Sequence, residues 1–315
     1  MTQAPATVAP AVPAPSAWAV GMALLAVYVV WGSTYFVMHV ALESFPPFIM
    51  GALRFAVAGG LLYVFARVRG AGRPTLAQWR AAAIVGTLLF AGGNGGVAFA
   101  QQSVSSGLTA VVVATMPLFA AIFALLWRQR PSAGEWAGLL VGFGGVAVLN
   151  ARGEISASGL MGVVLVLSPV AWALGSVWSR HLPQGNTAAM TSATQMLCGS
   201  VAMAVVALLR GETVDLAHVT PRALVALVYL ITFGSLLGFS AYAFLLRSTR
   251  PAIATSYAYV NPAVALMLGA SFADEHVDAL TVLGTCIILF GVAITSLAAR
   301  RAANKAMKST VISSP

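Results

Sequence analysis

Charge is what this sequence has least of. Only 8% of its 315 residues are Asp, Glu, Lys or Arg, against 59% hydrophobic. Soluble domains carry roughly 25% charged residues. A water-facing surface cannot be built from so few charges, so lipid is the main solvent. Carboxylates are rarer than cations, 8 against 17. None of them falls at mid-depth of an apolar segment, which removes the buried acid relay on which proton-coupled carriers commonly rely. The two cysteines, Cys198 and Cys286, lie singly inside apolar segments. They make neither a disulfide framework nor a metal-ligand spacing.

Enzymatic signatures are missing too. There is no H-E-x-x-H and no G-x-S-x-G, and the run Gly92 to Gly96 has neither the lysine of a P-loop nor the strand before it. The loops are too short for an ATP-binding domain. No cofactor and no metal site is expected. The net charge of +9 does not point to nucleic acid, because the basic residues stand singly between apolar stretches instead of clustering on one face.

What is present is a series of apolar segments. Ten of them approach the roughly 20 residues that cross a bilayer: 17–41, 47–67, 79–100, 106–127, 133–150, 158–179, 187–210, 223–246, 252–272 and 278–298. Residues 1–16 read as a disordered Ala/Pro tail without the basic start of a signal peptide. Residues 299–315 read as a basic, frayed cytoplasmic tail. With both termini in the cytoplasm, thirteen Lys and Arg fall on the inner side and three on the outer, with Arg54 left inside a span. Seven of the eight acids fall outside. Adding or removing a span scrambles this pattern.

The chain also resembles itself. Shifted by 145 residues, Thr87 meets Thr232, Gly93 meets Gly238, Ala98 meets Ala243, Phe99 meets Phe244, Ser103 meets Ser248, Pro117 meets Pro262 and Ala120 meets Ala265. Each repeat, 17–150 and 158–298, holds five spans. An odd number inserts the second copy upside down, an arrangement typical of transporters. The expected fold class is therefore an all-α integral membrane protein with ten transmembrane helices in two inverted five-helix repeats.

Polar groups and prolines at membrane depth mark candidate functional positions. Pro262 denies a helical partner to the Ala258 carbonyl, and Tyr257 and Asn261 share a face beside that gap. Pro117 sits at the equivalent place in the first repeat. Pro169 repeats the logic in span six, with Ser168 and Trp172 nearby. Tyr28, Trp31 and Tyr35 form a stripe on span one that reads as cavity wall or as packing. Arg54, the one charge well inside a span, reads either as an anchor for an anionic substrate group or as a donor tying helices together. Asn94, among glycines, reads as a cavity residue or as a bridge between close helices. Ser235 and Tyr242 share a face of span eight. Gln101 and Gln102 are expected to be hydrated at a span end. His39 and Glu43, four apart, make a possible proton-responsive pair or a solvated helix end.

Several stretches resemble a known family: Trp31 to Val37 (WGSTYFV), Pro46-Pro47, Leu53-Arg54-Phe55, Gly93-Asn94-Gly95, Ala110 to Pro117 (AVVVATMP), Trp172 to Val177 (WALGSV), Phe233-Gly234-Ser235 and Ala254 to Pro262 (ATSYAYVNP). Together they are similar to the drug/metabolite transporter superfamily, EamA-type, and to its YedA-like exporter branch. The resemblance spans about residues 20–298. It implies two inverted five-helix repeats around a central cavity, in a bacterial inner membrane, exporting small metabolites or toxic compounds. Substrate contacts are then expected at Trp31, Tyr35, Arg54, Asn94, Trp172, Ser235, Tyr257 and Asn261, with Pro117, Pro169 and Pro262 as bends beside the site. The expected partners are a small molecule and the lipid bilayer; nothing in the sequence separates a monomer from a dimer. An integral-membrane enzyme and a channel stand as alternatives.

Overall fold

The computed structural model describes residues 16–128, 131–149, 151, 158–248, 257–273 and 275–312. The N-terminal tail before residue 16 and the first three residues of the Ala254 to Pro262 stretch lie outside them. Every regular element among the described residues is a helix. We number ten: α1 Ala17–Ala41, α2 Pro47–Val68, α3 Leu76–Ala100, α4 Ser106–Trp127, α5 Ala133–Leu149, α6 Leu160–Ser179, α7 Ala188–Leu209, α8 over 221–248, α9 Tyr257–Phe272 and α10 Ala279–Ile312. Seven helices, α1–α4, α6, α7 and the segment Pro221–Tyr242 of α8, are long and apolar enough to cross a membrane. Shorter apolar helices occupy Ala133–Leu149, Val260–Phe272 and Ala279–Thr295.

Helix starts follow local chemistry. The side chains of Ser16, Thr75, Ser105, Thr187 and Thr220 each accept a backbone N–H of the first turn. Gln78 completes a capping box with Thr75. Helices α2 and α7 end alike. Each passes into a glycine of positive φ, Gly70 at 85° and Gly211 at 66°. The next N–H then reaches back five residues, Ala71 to Ala66 and Glu212 to Ala207, at 2.9 Å.

Three helices depart from regular α geometry. Helix α3 is π-helical over Thr87–Gly95 and α8 over Leu230–Leu237. Such insertions often accompany functional sites. Helix α4 breaks at Ala114 and Thr115, three and two residues ahead of Pro117, which takes an early position in the piece that follows. Helix α10 runs on to Ile312 instead of fraying after 298. Ala298, Ala299, Ala302, Ala303 and Ala306 supply the propensity.

The main packing is between the two halves. α2 lies along α7, α5 along α10, α1 against α8 and α9, and α6 against α3 and α4. Glycines permit the closest approaches. Cβ atoms at Gly138 or Gly145 would run into the backbone of α10, and one at Gly291 into that of α5.

Loop contacts sort the helix ends into two groups. At an acid-rich end, Glu43 pairs with Arg222 at 3.6 Å. Glu212 accepts the N–H groups of Phe48 and Ile49, both at 3.0 Å. Glu275 accepts those of Ser106 and Gly107 at 2.6 and 2.9 Å. At an arginine-rich end, Gln78 reaches the Gln184 carbonyl and the Trp127 ring stacks on His181.

Candidate functional site

A cavity of about 80 Å³ lies among α1, α2, α3, α4, α6, α8 and α9. That is space for on the order of six waters, or a small solute. Trp31, Tyr35, Arg54, Asn94, Trp172, Tyr257 and Asn261 all line it, with Pro117 and Pro262. Ser235 and Pro169 do not. Both are buried, Ser235 behind Arg54 and Pro169 inside α6.

Trp31 forms one wall. Its Nε1–H donates to the Gly234 carbonyl at 3.1 Å, inside the π-helical stretch of α8. Its ring meets Phe239, Tyr242 and Tyr257 at centroid distances of 5.3, 5.2 and 4.8 Å. This closeness depends on Gly238, where a Cβ would overlap the indole. Across the cavity Trp172 of α6 lies over Gly93 of α3, where a Cβ would come within 2.7 Å of Trp172 Cε3. Gly93 and Gly238 are matched positions at the 145-residue shift. Each half thus lends a tryptophan from its first helix to a glycine on the third helix of the other.

Arg54 is 4% exposed. Its Nε donates to Ser235 Oγ at 2.9 Å, and its guanidinium carbon lies 4.7 Å from the Phe55 ring centre. Asn94 turns back on its own π turn, donating weakly to the Leu89 carbonyl at 3.4 Å, and does not bridge helices. Asn261 is 5% exposed, and among the described residues its Oδ1 has no hydrogen-bond partner. Pro117, just past the break in α4, and Pro262, inside an α9 that runs unbroken through it, border the same space.

His39 and Glu43 stay apart from the cavity. Glu43 faces Arg222, while His39 Nδ1 is enclosed without a hydrogen bond among the described residues. Gln101 is not hydrated as expected. It is 2% exposed and donates to the Tyr35 carbonyl at 3.0 Å. Its position at a span end says nothing of the helix packed over it. Sequence reasoning also missed Phe239 and Thr34, which line the cavity. A signal for Phe239 existed, since it is the position matched to Asn94.

An all-helical bundle with apolar helices of membrane length, enclosing a cavity shared by both halves, marks a multi-pass membrane protein. The chain belongs to the EamA-like transporter family, whose profile matches residues 17–151 and 160–297. It is 39% identical over 278 residues, 87% of this chain and 90% of the relative, to the uncharacterized inner membrane transporter YedA of Escherichia coli K12. It is 25% identical over 294 residues to the transporter YvbV of Bacillus subtilis, covering 90% of this chain and 92% of that one. It is 27% identical over 287 residues to protein PecM of Dickeya dadantii, covering 86% and 91%. One solved crystal structure shares the fold with a TM-score of 0.62 at 19% identity, covering 91% of this chain and all of that one. Family and relatives alike indicate a membrane transporter and not an enzyme.

Proposed function

We propose that this chain is a secondary carrier that moves a small amphipathic solute, an amino acid, a related metabolite or a drug, by alternating access. The solute binds in the cavity shared by Trp31, Tyr35, Arg54, Asn94, Trp172, Tyr257 and Asn261. All ten helices cross the bilayer as two inverted five-helix repeats, with both termini in the cytoplasm. Export is the direction that the resemblance to exporters implies.

One observation carries this reading: contacts between helices survive exchanging the halves. If α1–α5 are swapped with α6–α10 in order, the pair α1–α9 becomes α6–α4, α1–α8 becomes α6–α3, and α2–α8 becomes α7–α3. The pairs α2–α7 and α5–α10 map onto themselves. Each of these contacts is made. The π-helical stretches of α3 and α8 exchange as well. So do two ring contacts. Trp127 with His181 and Phe272 with Phe36 are matched at the same shift of 145, with centroids 4.5 and 6.1 Å apart. One lies at the arginine-rich end and the other at the acid-rich end. A pair of related closures at opposite ends is what a carrier needs to expose one site to two sides in turn.

The test needs no knowledge of the solute. Val113 lines the cavity and is half-buried. With Cys198 and Cys286 replaced by alanine, Val113→Cys is treated with a membrane-impermeant thiol reagent in vesicles of each orientation. A carrier is labelled from both sides, one side at a time within each molecule. Labelling from one side only, whatever the vesicle orientation, would refute alternating access.

A further inference from the structure

We infer that Arg54 and Asn261 are the two poles of the binding site, and that the transported solute carries one carboxylate and, at its other end, a hydrogen-bond donor. This rests on the carrier reading above and names the chemistry its site selects.

The argument begins with an unbalanced charge. Arg54 lies about two turns inside the N-terminal end of α2, 4% exposed, in a helix of membrane length. Leaving a cation there without a partner costs several kcal/mol. Among the described residues no carboxylate pairs with it. Its neighbours are the neutral Ser235 hydroxyl and the Phe55 ring. A guanidinium has five N–H donors. The bond to Ser235 takes the one on Nε, which leaves the two terminal nitrogens with a geometry that matches a carboxylate through two parallel bonds. Gly234 preserves room beside them, since a Cβ there would come within 3.0 Å of Nη2. Ser235 therefore acts as a positioning residue that orients the fork, without itself lining the cavity.

The second pole is an acceptor. Asn261 Oδ1 is buried without a hydrogen bond among the described residues, on a residue that lines the same cavity. Leaving such an atom unsatisfied costs about 1–3 kcal/mol, and a donor on the solute removes that cost. Between the poles the walls are Trp31, Trp172 and Phe239, which suit an apolar body. A single cation answers one negative charge, and about 80 Å³ is small. Polyanions and phosphates fall outside this description; a zwitterion of amino-acid size falls within it.

The experiment is counterflow in liposomes with the purified full chain, using two labelled sets: a mixture of common amino acids, and the amides of the same amino acids, which lack the carboxylate. The wild type is expected to exchange at least one amino acid and to exchange its amide roughly 10- to 100-fold more slowly, as for loss of a hydrogen bond to a charged group. Arg54→Gln is expected to lose that preference along with the exchange, and Arg54→Lys to regain part of both. N-acetylation of the accepted amino acid removes the charged donor and lowers exchange in the wild type, but not further in Asn261→Ala. Acids and amides exchanged equally by the wild type would overturn the proposal without any variant. So would full acid exchange by Arg54→Gln. Failure to exchange any amino acid, by protein that passes the two-sided labelling of Val113→Cys, would overturn the ligand class and leave the carrier standing. Failure of that labelling would remove both.

Discussion

Replacing Gly238 by alanine measures how firmly the Trp31 indole is held. A Cβ at 238 would lie 2.9 Å from Cδ1 and 3.2 Å from Cε2 of Trp31, and closer still to Nε1. The ring has little freedom to retreat. It is 9% exposed, tied by Nε1–H to the Gly234 carbonyl at 3.1 Å and enclosed by three aromatic neighbours. Forcing one methyl group into packed surroundings costs about 1–3 kcal/mol. Losing the indole hydrogen bond adds about 1 kcal/mol. The expected loss is about 2–4 kcal/mol, read in detergent as a melting midpoint lower by roughly 5 °C or more. Transport falls with it, since the displaced ring enters the cavity. The matched substitution Gly93→Ala is the internal control. There the new methyl meets Trp172 Cε3 at 2.7 Å. Among the described residues no hydrogen bond or ring stack ties Trp172, so it can tilt away at about 1–2 kcal/mol. The predicted order is thus wild type, then Gly93→Ala, then Gly238→Ala. A Gly238→Ala protein melting with the wild type, or Gly93→Ala proving the more costly, would refute the account of Trp31 as the pinned wall.

Two further outcomes follow from contacts away from the cavity. Glu275→Ala frees the N–H groups of Ser106 and Gly107 at the start of α4, and Glu212→Ala those of Phe48 and Ile49 at the start of α2. Each is expected to cost about 1–3 kcal/mol, seen in the same melting assay, with the Gln variants falling between; no change in either Ala variant would show that water replaces the carboxylate at no cost. Trp127→Ala and Phe36→Ala each remove one of the two matched ring contacts, worth about 0.5–1.5 kcal/mol. The first should raise labelling of Val113→Cys from the arginine-rich side and the second from the acid-rich side, and equal effects on both sides would separate these rings from gating.

The parts of the site legible in the sequence were those whose chemistry conflicts with lipid. Arg54, Asn94 and Asn261 stand out because a polar group at membrane depth needs a reason, and Pro117 and Pro262 because proline denies a helix one hydrogen bond. All five line the cavity. Aromatic walls were harder to read, because Trp31 and Trp172 are equally at home in packing; only the glycines opposite them distinguish the roles. Ser235 was nominated as a contact and stands behind one. It lies buried within the π-helical stretch of α8, which no residue in that segment announces. Gln101 looked hydrated because distance along a span was taken for depth, whereas α1 covers it and supplies the Tyr35 carbonyl. The continuation of α10 to Ile312 was hidden by reading basic residues as a tail, although alanine between them favours helix.

The interlocking of the halves also bears on how the chain is made. A ribosome delivers α1–α5 to the bilayer before any of α6–α10 exists. Yet the long partner of α2 is α7, that of α5 is α10, and α1 lies against α8 and α9. The early helices therefore wait in lipid with their contact faces uncovered, including the glycine-lined face of α5 that later receives Gly291. Synthesis of one half yields five helices but not a folded unit. Assembly is completed from the C-terminal side, and a chain cut short after α9 loses more than its last helix: it leaves α5 with nothing to close against.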